Sequence, residues 1–410
     1  MRRRNLVLLT DEFPFGTGEQ FLETEIIILA EHFENVFIYP YRLNNGAGRL
    51  IPENVKVVEM QQDLLFSARR LILRNWMIIF KVFLSEFSRR KFYKIKGYKY
   101  HFNKLVADLN NAQQLNNELL KLKDIQVYSY WFGRWGSLMS LVNVLSHNRI
   151  KFITRVHGFD YDVNRWENKF IPFRKFQMKH VAQIFPVSQF AVNRLNSEYP
   201  KNNNVELQRL GVSDHGDNPI ANEEVLTIVS CSSLIELKRV HLIIEILKFI
   251  KIETLWVHFG SGPLLENIKK ISKELPNNIK VEFRGHVQNS DILKYYKSKP
   301  IDLFINVSEL EGVPVSLMEA ISFGIPIIGC NICGVPEIVT PETGFLLDKE
   351  FDPIAVALII ENFKTSSPQE ILKLRESSKL FWRKNYCAEI NYKKYVNEVL
   401  LPSQDTWEKR

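Results

Sequence analysis

The sequence predicts an α/β protein with two doubly wound domains, each built on a parallel sheet. Short apolar runs rich in β-branched residues recur along the 410 residues, and each ends in a polar or glycine-containing loop followed by apolar positions at helical spacing. A chain of this length exceeds one ordinary core and suits two domains of about 200 residues each. The polar, turn-rich run 213–219 is the predicted linker.

The composition indicates a globular protein of the cytoplasm. Hydrophobic residues make up 45% and charged residues 24% of the chain. No apolar run reaches the roughly 18 to 20 residues of a membrane span, and no cleavable signal pattern follows the basic N-terminus. The four cysteines are scattered, and the pair Cys330 and Cys333 lacks a second pair or nearby histidines, so we expect neither a disulfide framework nor a metal site.

The net charge of +8 is concentrated in the segment 66–104, where eleven Lys and Arg residues accompany a single acid, Glu86. Aromatic residues are interleaved with them. Two interpretations stay open: a basic helix lying in the headgroup layer of an anionic membrane, and a helical hairpin packed on its domain with a solvated basic face. No nucleic-acid-binding motif accompanies the basic residues, so we expect no nucleic-acid partner.

The first domain opens with a strand at 5–10 that runs into a loop containing Gly16, Thr17 and Gly18. The glycines permit close approach of a ligand, but Gly-x-Gly alone is a weak signal and the dinucleotide fingerprint is absent. A helix follows the loop, and strands are predicted at 36–39 and 55–58.

Later strands of this domain bring functional groups to the sheet edge. The strand 126–130 leads into a loop of glycines and aromatic residues. These aromatic rings either stack on a sugar or only pack within the domain. The strand 151–156 ends in Arg155, His157 and Asp160, of which His157 is our choice for a functional residue; a core or surface histidine is the alternative.

The first domain ends with a strand at 182–187 and a helix from 189, for which Ser188 is the predicted N-cap, and residues 205–211 close it.

The second domain begins with a strand at 226–230 and a loop that carries Ser233, Lys238 and Arg239. A lysine near a helix start is placed to neutralise a diphosphate, although a solvated lysine fits the sequence equally well. Strands at 255–259 and 280–283 then end at Gly260 and Gly285. Helices are predicted at 354–362 and 370–382.

Residues 301–330 form the unit that points most directly to a ligand. A buried strand, 301–307, ends in a loop with Glu311; a helix from Val315 carries Glu319, and a second buried strand ends at Cys330. At 1.5 Å rise per residue, the two carboxylates would lie about 12 Å apart along the axis, with the N–H groups of a helix start between them. A nucleotide sugar, with hydroxyls at both ends and phosphate between, fits this arrangement; two solvated glutamates are the alternative.

At these residues the chain resembles the retaining glycosyltransferases of family 4, also called glycosyl transferases group 1, which have the GT-B fold. Their hallmark is a pair of glutamates with seven residues between them, here Glu311 and Glu319. A Gly-x-Pro segment at Gly324 and a Gly-x-Pro-Glu loop at Gly334 follow, as in the family. The opening segment 13–26 looks like that of members that build bacterial surface polysaccharides, including capsule, exopolysaccharide and lipopolysaccharide.

The resemblance implies two Rossmann-like domains facing a central cleft. Residues 1–214 would bind the acceptor, residues 215–385 would bind the nucleotide sugar, and a C-terminal helix within 386–410 would cross back to the first domain. It implies Glu311 and His157 as catalytic residues, and Gly16, Thr17, Gly18 and Arg155 on the acceptor side. The implied donor-binding residues are Ser233, Lys238, Arg239, Gly260, Gly285, Gly312, Val313, Val315, Ser316 and Glu319.

One departure concerns the phosphate site. The family pairs the lysine at Lys238 with an arginine five residues earlier, where this chain has Ser233. Either Arg239 or another cation substitutes for it, or the site binds phosphate more weakly.

The expected function is metal-independent, retaining transfer of a hexose from a UDP- or GDP-sugar to a lipid-linked or oligosaccharide acceptor, without a cofactor. The expected place is the cytoplasm, at the inner face of the membrane if the segment 66–104 makes peripheral contact with anionic lipid. The alternatives are a nucleotide-sugar epimerase on the same fold and a non-catalytic membrane-associated scaffold.

Overall fold

The computed structural model describes residues 4–16, 18–43, 48–60, 68–87, 98–163, 166, 169–200, 204–220 and 224–401. The chain divides into two compact units. The first comprises the residues up to Gln208 together with those from Tyr392 onward, and the second is Arg209–Asn391. The boundaries predicted at 214 and 385 thus differ from the observed ones at 208 and 391 by six residues each.

The first unit contains a six-stranded parallel sheet in the order β3-β2-β1-β4-β5-β6. Its strands are β1 Asn5–Thr10, β2 Asn35–Pro40, β3 Val55–Val57, β4 Ile125–Ser129, β5 Ile153–Val156 and β6 Gln183–Pro186. Its helices are α1 Leu22–His32, α2 Ala68–Arg74, α3 Trp76–Phe87, α4 Tyr98–Leu119, α5 Arg134–Leu145, α6 Gly158–Tyr161, α7 Arg174–His180 and α8 Gln189–Glu198. The predicted N-cap of α8 is confirmed, because the backbone N–H of Ala191 donates to Ser188 Oγ at 3.1 Å.

The second unit contains a six-stranded parallel sheet in the order β12-β11-β10-β7-β8-β9. Its strands are β7 Leu226–Cys231, β8 Thr254–Phe259, β9 Ile279–Gly285, β10 Leu303–Asn306, β11 Ile327–Cys330 and β12 Gly344–Leu347. Its helices are α9 His241–Leu247, α10 Leu265–Ser272, α11 Asn289–Ser298, α12 Val315–Ser322, α13 Pro353–Thr365, α14 Pro368–Asn385 and α15 Ala388–Tyr395, of which the last runs into the first unit.

Both sheets have the strand order of a doubly wound fold, so the predicted fold class is confirmed. In each sheet the first strand lies between two neighbours reached in opposite directions, β2 and β4 in one case and β8 and β10 in the other. The crevice beyond the carboxyl ends of the strands at such a reversal is where α/β sheets bind ligands. The loops after β7 and β10 are therefore the first place to look for a site.

The predicted basic segment 66–104 lies partly outside the described residues, which include neither 61–67 nor 88–97. Within it the structure places α2, α3 and the beginning of α4. Across the described ranges of the chain, no helix is both long and apolar enough to cross a membrane.

Candidate active site

An ion pair joins the two loops at the strand-order reversal of the second unit. Lys238, at the end of a short turn after β7, donates from Nζ to Oε1 of Glu311, in the loop after β10, at 2.5 Å. The two side chains are 24% and 11% exposed, so the pair is largely shielded yet accessible from one side. The sequence pointed to both residues but not to their contact. An incoming anion must therefore compete with Glu311 for this lysine.

The start of α12 lies next to this pair and has no side-chain cap. Its N-cap residue is Pro314, which has no polar side-chain atom to accept from the first-turn N–H groups. The loop residues Gly312 and Val313 and the first-turn residues Val315 and Ser316 were predicted to hold phosphate, and their backbone follows Glu311 directly. Such a helix start attracts anions through its N–H groups and its dipole.

The predicted Gly-x-Pro-Glu loop lies against the Glu311 loop. A Cβ added to Gly334 would stand 2.4 Å from the carbonyl oxygen of Gly312, so only a glycine permits this approach. The two loops follow β10 and β11, which are neighbours in the sheet. They therefore open on the same sheet edge, as expected.

Glu319 is a buried carboxyl on the second turn of α12, 8% exposed. Asn289 Nδ2, at the start of α11, donates to its Oε1 at 2.8 Å. Burial raises the pKa of Glu319 to about 7, and the hydrogen bond from Asn289 only partly offsets this. The helix begins at Val315, so the 12 Å axial estimate, which assumed helix from Glu311, does not apply to the whole interval.

Arg239 was one of the candidates to substitute for the arginine missing at Ser233. The structure instead directs its guanidinium to backbone carbonyls: Nε donates to Val307 at 2.9 Å and Nη2 to Lys349 at 3.1 Å. Ser233 is exposed and supplies no charge. Arg239 thus ties together the segments that follow β10 and β12, and Lys238 is the cation that this loop presents to the site.

Two predicted donor-side glycines have different structural reasons. Gly260, at φ +139°, would place a Cβ 1.9 Å from the carbonyl oxygen of Ser232, so the ends of β7 and β8 can approach only because it is glycine. Gly285, at φ +67°, faces open space, and its carbonyl accepts from the N–H of Gly260 at 2.8 Å. The latter leaves room beside the strand end for a ligand.

His157 lies directly after β5 in the first unit, 7% exposed and surrounded by aromatic rings. Its ring centre is 4.8 Å from that of Tyr130 and 4.5 Å from that of Trp131. Burial, together with the charge of Arg155, lowers its pKa to about 3, so the imidazole is neutral at physiological pH. Its Nε2 is buried without a hydrogen-bond partner, which leaves one polar atom for a ligand hydroxyl.

Of the predicted acceptor-side glycine loop, Thr17 lies outside the described residues. Gly16 has φ +70°, and a Cβ added there would stand 2.2 Å from Oε2 of Glu12, whereas Gly18 is exposed with no atom within 4 Å of an added Cβ. The open space therefore lies beside Gly18, and the backbone N–H groups just before the glycines are already used by a residue that the sequence did not single out.

Glu19 is that residue. Its buried carboxylate accepts from the indole N–H of Trp131 at 2.7 Å and from three consecutive backbone N–H groups, those of Asp11, Glu12 and Phe13, at 2.9, 2.8 and 2.7 Å. Three adjacent N–H groups pointing at one spot form an anion-binding nest. Here the chain fills the nest with its own carboxylate. The sequence signal that could have indicated this role of Glu19 is an acidic residue directly after a glycine turn.

The prediction that Arg155 binds the acceptor is wrong, because this residue has no exposed surface. Its Nε donates to the hydroxyl of Tyr128 at 2.6 Å and its Nη2 forms an ion pair with Glu25 at 3.2 Å. The guanidinium also lies 4.5 Å from the ring centre of Tyr395. Arg155 therefore fixes the C-terminal residues to the first unit.

The chain is similar to known glycosyltransferases. Residues 215–379 match the family described as Glycosyl transferases group 1. WcaL of Escherichia coli strain K12, named as a colanic acid biosynthesis glycosyltransferase, is 24% identical over 255 residues, which are 60% of this chain and 63% of that protein. The chain spans about three fifths of the length of the curated relatives it matches first.

Solved structures resemble the chain over nearly its whole length. The lipopolysaccharide outer core galactosyltransferase WaaB has a TM-score of 0.69 at 14% identity, covering 97% of this chain and 99% of its own. Alr3699/HepE of Anabaena, solved with UDP-glucose, has a TM-score of 0.65 at 12% identity over 99% of this chain and 100% of its own. Residues 215–379 of the chain thus match the glycosyl transferases group 1 family, and the chain has the GT-B fold.

Proposed function

We propose that the protein is a retaining glycosyltransferase that moves a hexose from a UDP- or GDP-sugar to a lipid-linked or oligosaccharide acceptor in bacterial cell-surface polysaccharide biosynthesis. The observation that carries the proposal is the pair of Lys238 and Glu311 beside the uncapped start of α12, with Glu319 buried one turn further along. A cation, a helix start and two carboxylates match the phosphates and the hydroxyls of a nucleotide sugar. The relatives named for colanic acid and lipopolysaccharide synthesis support the biological setting.

Donor binding would exchange the partners of the ion pair. The diphosphate would take Lys238 and the N–H groups from Gly312 to Ser316, and Glu311 would then be free to accept hydrogen bonds from the sugar. Glu319 would accept from the ribose hydroxyls, for which a carboxylate is a better partner than a carboxylic acid. Asn289, which already donates to Glu319, would fix the orientation of that carboxyl.

In the reaction the bond between the anomeric carbon and the diphosphate oxygen breaks, and the acceptor hydroxyl forms a new bond on the same face. The departing phosphate takes the acceptor's proton, so no enzymic nucleophile enters the scheme. Lys238 and the helix start stabilise the charge that develops on the leaving group. These groups supply the positive charge that a metal ion provides in other transferases, and the neutral His157 would hold a sugar hydroxyl through its Nε2.

Calorimetry with UDP-glucose, GDP-mannose, UDP and GDP tests the donor site. We expect one nucleotide series to bind, and Lys238→Gln to weaken that binding by about 10- to 100-fold, because a charge-assisted contact to phosphate is lost. Lys269→Gln on α10, an exposed lysine paired with Glu266, is the matched control and should bind like the wild type.

A second measurement separates transfer from the alternative reactions. With a polyprenyl diphosphate-linked saccharide as acceptor, release of UDP or GDP should require the acceptor. Release at the same rate without acceptor would contradict transfer, and failure of all four nucleotides to bind would favour the non-catalytic scaffold.

A further inference from the structure

The helices α2 and α3 are apolar on two opposite faces. One face packs into the core of the first unit through Leu71, Ile79, Val82 and Phe83. The other is open to solvent and carries five large apolar side chains at helical spacing: Leu73, Trp76, Met77, Phe80 and Leu84, which are 75%, 59%, 59%, 55% and 55% exposed. A surface helix normally has a polar outer face. We call this outer surface the α2–α3 face.

Cations surround the α2–α3 face. Arg69, Arg74 and Lys81 are exposed on it. The one acid in the sequence from 68 to 87 is Glu86, which is fully buried and accepts from the backbone N–H of Lys175 at 3.1 Å. The face therefore combines exposed apolar side chains with positive charge, and α2 and α3 carry no exposed acid.

A groove of about 740 Å³ runs beside α3 and continues this pattern. Among the side chains that line it are Met77, Lys81, Leu84, Lys179 and His180. Burial is the main reason that the pKa of His180 is lowered to about 4, and the positive charges of Lys179 and Lys81 lower it further. Apolar walls with cations at the rim fit the headgroup and upper chain of an anionic lipid.

Charge decides between the two occupants that could cover such a surface. A second copy of the chain would dock with two-fold symmetry and would bring the same cationic patch against itself, which like-charge repulsion opposes. An anionic bilayer offers both phosphate groups and hydrocarbon. We propose that the α2–α3 face docks on anionic membrane, with Trp76, Met77 and Phe80 entering the boundary of headgroups and acyl chains and Arg69, Arg74 and Lys81 contacting lipid phosphates. This docking is independent of the sugar-transfer chemistry.

Co-sedimentation of the full chain with vesicles tests the proposal without donor or acceptor. We expect binding to vesicles of phosphatidylglycerol and phosphatidylcholine, weaker at high salt, and little binding to phosphatidylcholine alone. The double substitution Trp76→Ser and Phe80→Ser should reduce the partition constant by about tenfold or more, because both rings lose their insertion into the interface. Both side chains are exposed in the free protein, so its melting temperature should not change.

Two further variants complete the test. Leu358→Ser with Leu380→Ser removes two comparably exposed apolar side chains, at 52% and 66%, from the second unit and should bind vesicles like the wild type. Arg74→Gln with Lys81→Gln should weaken binding to the anionic vesicles by about 10- to 30-fold.

Equal binding by the wild type and the Trp76 and Phe80 variant would overturn the proposal. A second result would also overturn it: the wild type does not bind vesicles and is a dimer in light scattering, and the Trp76 and Phe80 variant is a monomer. A second copy of the chain would then cover the face.

Discussion

The loops after β1 and β7 occupy the same place in two sheets of the same strand order. They differ in whether the charged side chain is bound within its own loop or by a neighbouring loop. After β1, Glu19 accepts from three consecutive backbone N–H groups and fills the nest that they form. After β7, Lys238 extends to Glu311 in the loop of the neighbouring strand. The first edge holds a carboxylate on its own backbone N–H groups, and the second holds a lysine on a carboxylate of another loop, so the topology alone does not decide the charge at the edge of a doubly wound sheet.

The same contrast extends to the residues behind the loops. His157, in the first unit, is neutral because burial and Arg155 lower its pKa to about 3. Glu319, in the second, is a buried acid whose pKa is raised to about 7. An uncharged imidazole suits a neutral hydroxyl, whereas a carboxyl that titrates near neutrality responds to the ligand it binds.

The largest effect is expected from Glu311→Gln. The amide keeps the shape but loses the charge that accepts from the sugar and balances Lys238, so the transfer rate should fall by about 10²- to 10³-fold. The nucleotide should still bind, because Lys238 is then released from its ion pair. Initial rates and nucleotide affinity measured on the same preparation check this. Full activity in the variant would remove Glu311 from the mechanism.

Glu319→Gln should change how stability depends on pH. Burial raises the pKa of Glu319 from its ordinary 4.5 to about 7, so between these values the folded protein holds a proton that the unfolded chain has released. Stability of the wild type therefore decreases, relative to the variant, as the pH rises from about 4.5 to about 7, by up to about 3 kcal/mol.

Urea unfolding of both proteins at pH 5 and pH 8 measures this difference. Glu342→Gln, at an exposed site of the second unit, is the control and should show no such trend. Parallel pH profiles of Glu319→Gln and the wild type would mean that Glu319 ionises like an exposed acid.

The smallest of the three effects is expected from Glu19→Gln. The amide retains one oxygen for the nest but turns an N–H₂ group toward other donors, so the free energy of unfolding should fall by about 1.5 to 3 kcal/mol. Glu23→Gln on α1, where the carboxylate is 53% exposed, should cost far less.

A companion variant sharpens the comparison between the two loops. Glu19→Ala empties the nest, and added acetate should then raise its melting temperature while leaving that of the wild type unchanged. No response to acetate would show that the three N–H groups do not form an anion site once the carboxylate is gone.

The fold could be predicted because buried parallel strands are continuous apolar runs. Of the 12 strands among the described residues, 11 were expected within a few residues, and β12 is the exception. The strand β12 was missed because it opens with Gly344, a residue that usually marks a turn, whose added Cβ would stand 1.8 Å from the carbonyl oxygen of Ile327. Such a close approach between strands has no signature in a single sequence.

The sequence could predict several residues of the candidate site but not the contacts between them. Lys238 and Glu311 are 73 residues apart, and only the sheet brings them together. Arg155 was assigned to the acceptor because it stands at a strand end. It still belongs to β5, however, where alternation of side chains sends it into a covered face, while His157 lies beyond the strand. The position of a residue along a strand predicts which edge of the sheet it lies near. The direction of its side chain can be known only from the register of the strand.

The burial of Arg155 against Tyr392 and Tyr395 bears on the order in which the protein can fold. The second unit is one continuous segment, so its residues are all present as soon as Asn391 has left the ribosome. The first unit, although it is synthesised first, still lacks two aromatic rings that cover a buried charge. We expect the earlier half of the chain to reach its final packing last, after the later half has already formed around its own sheet.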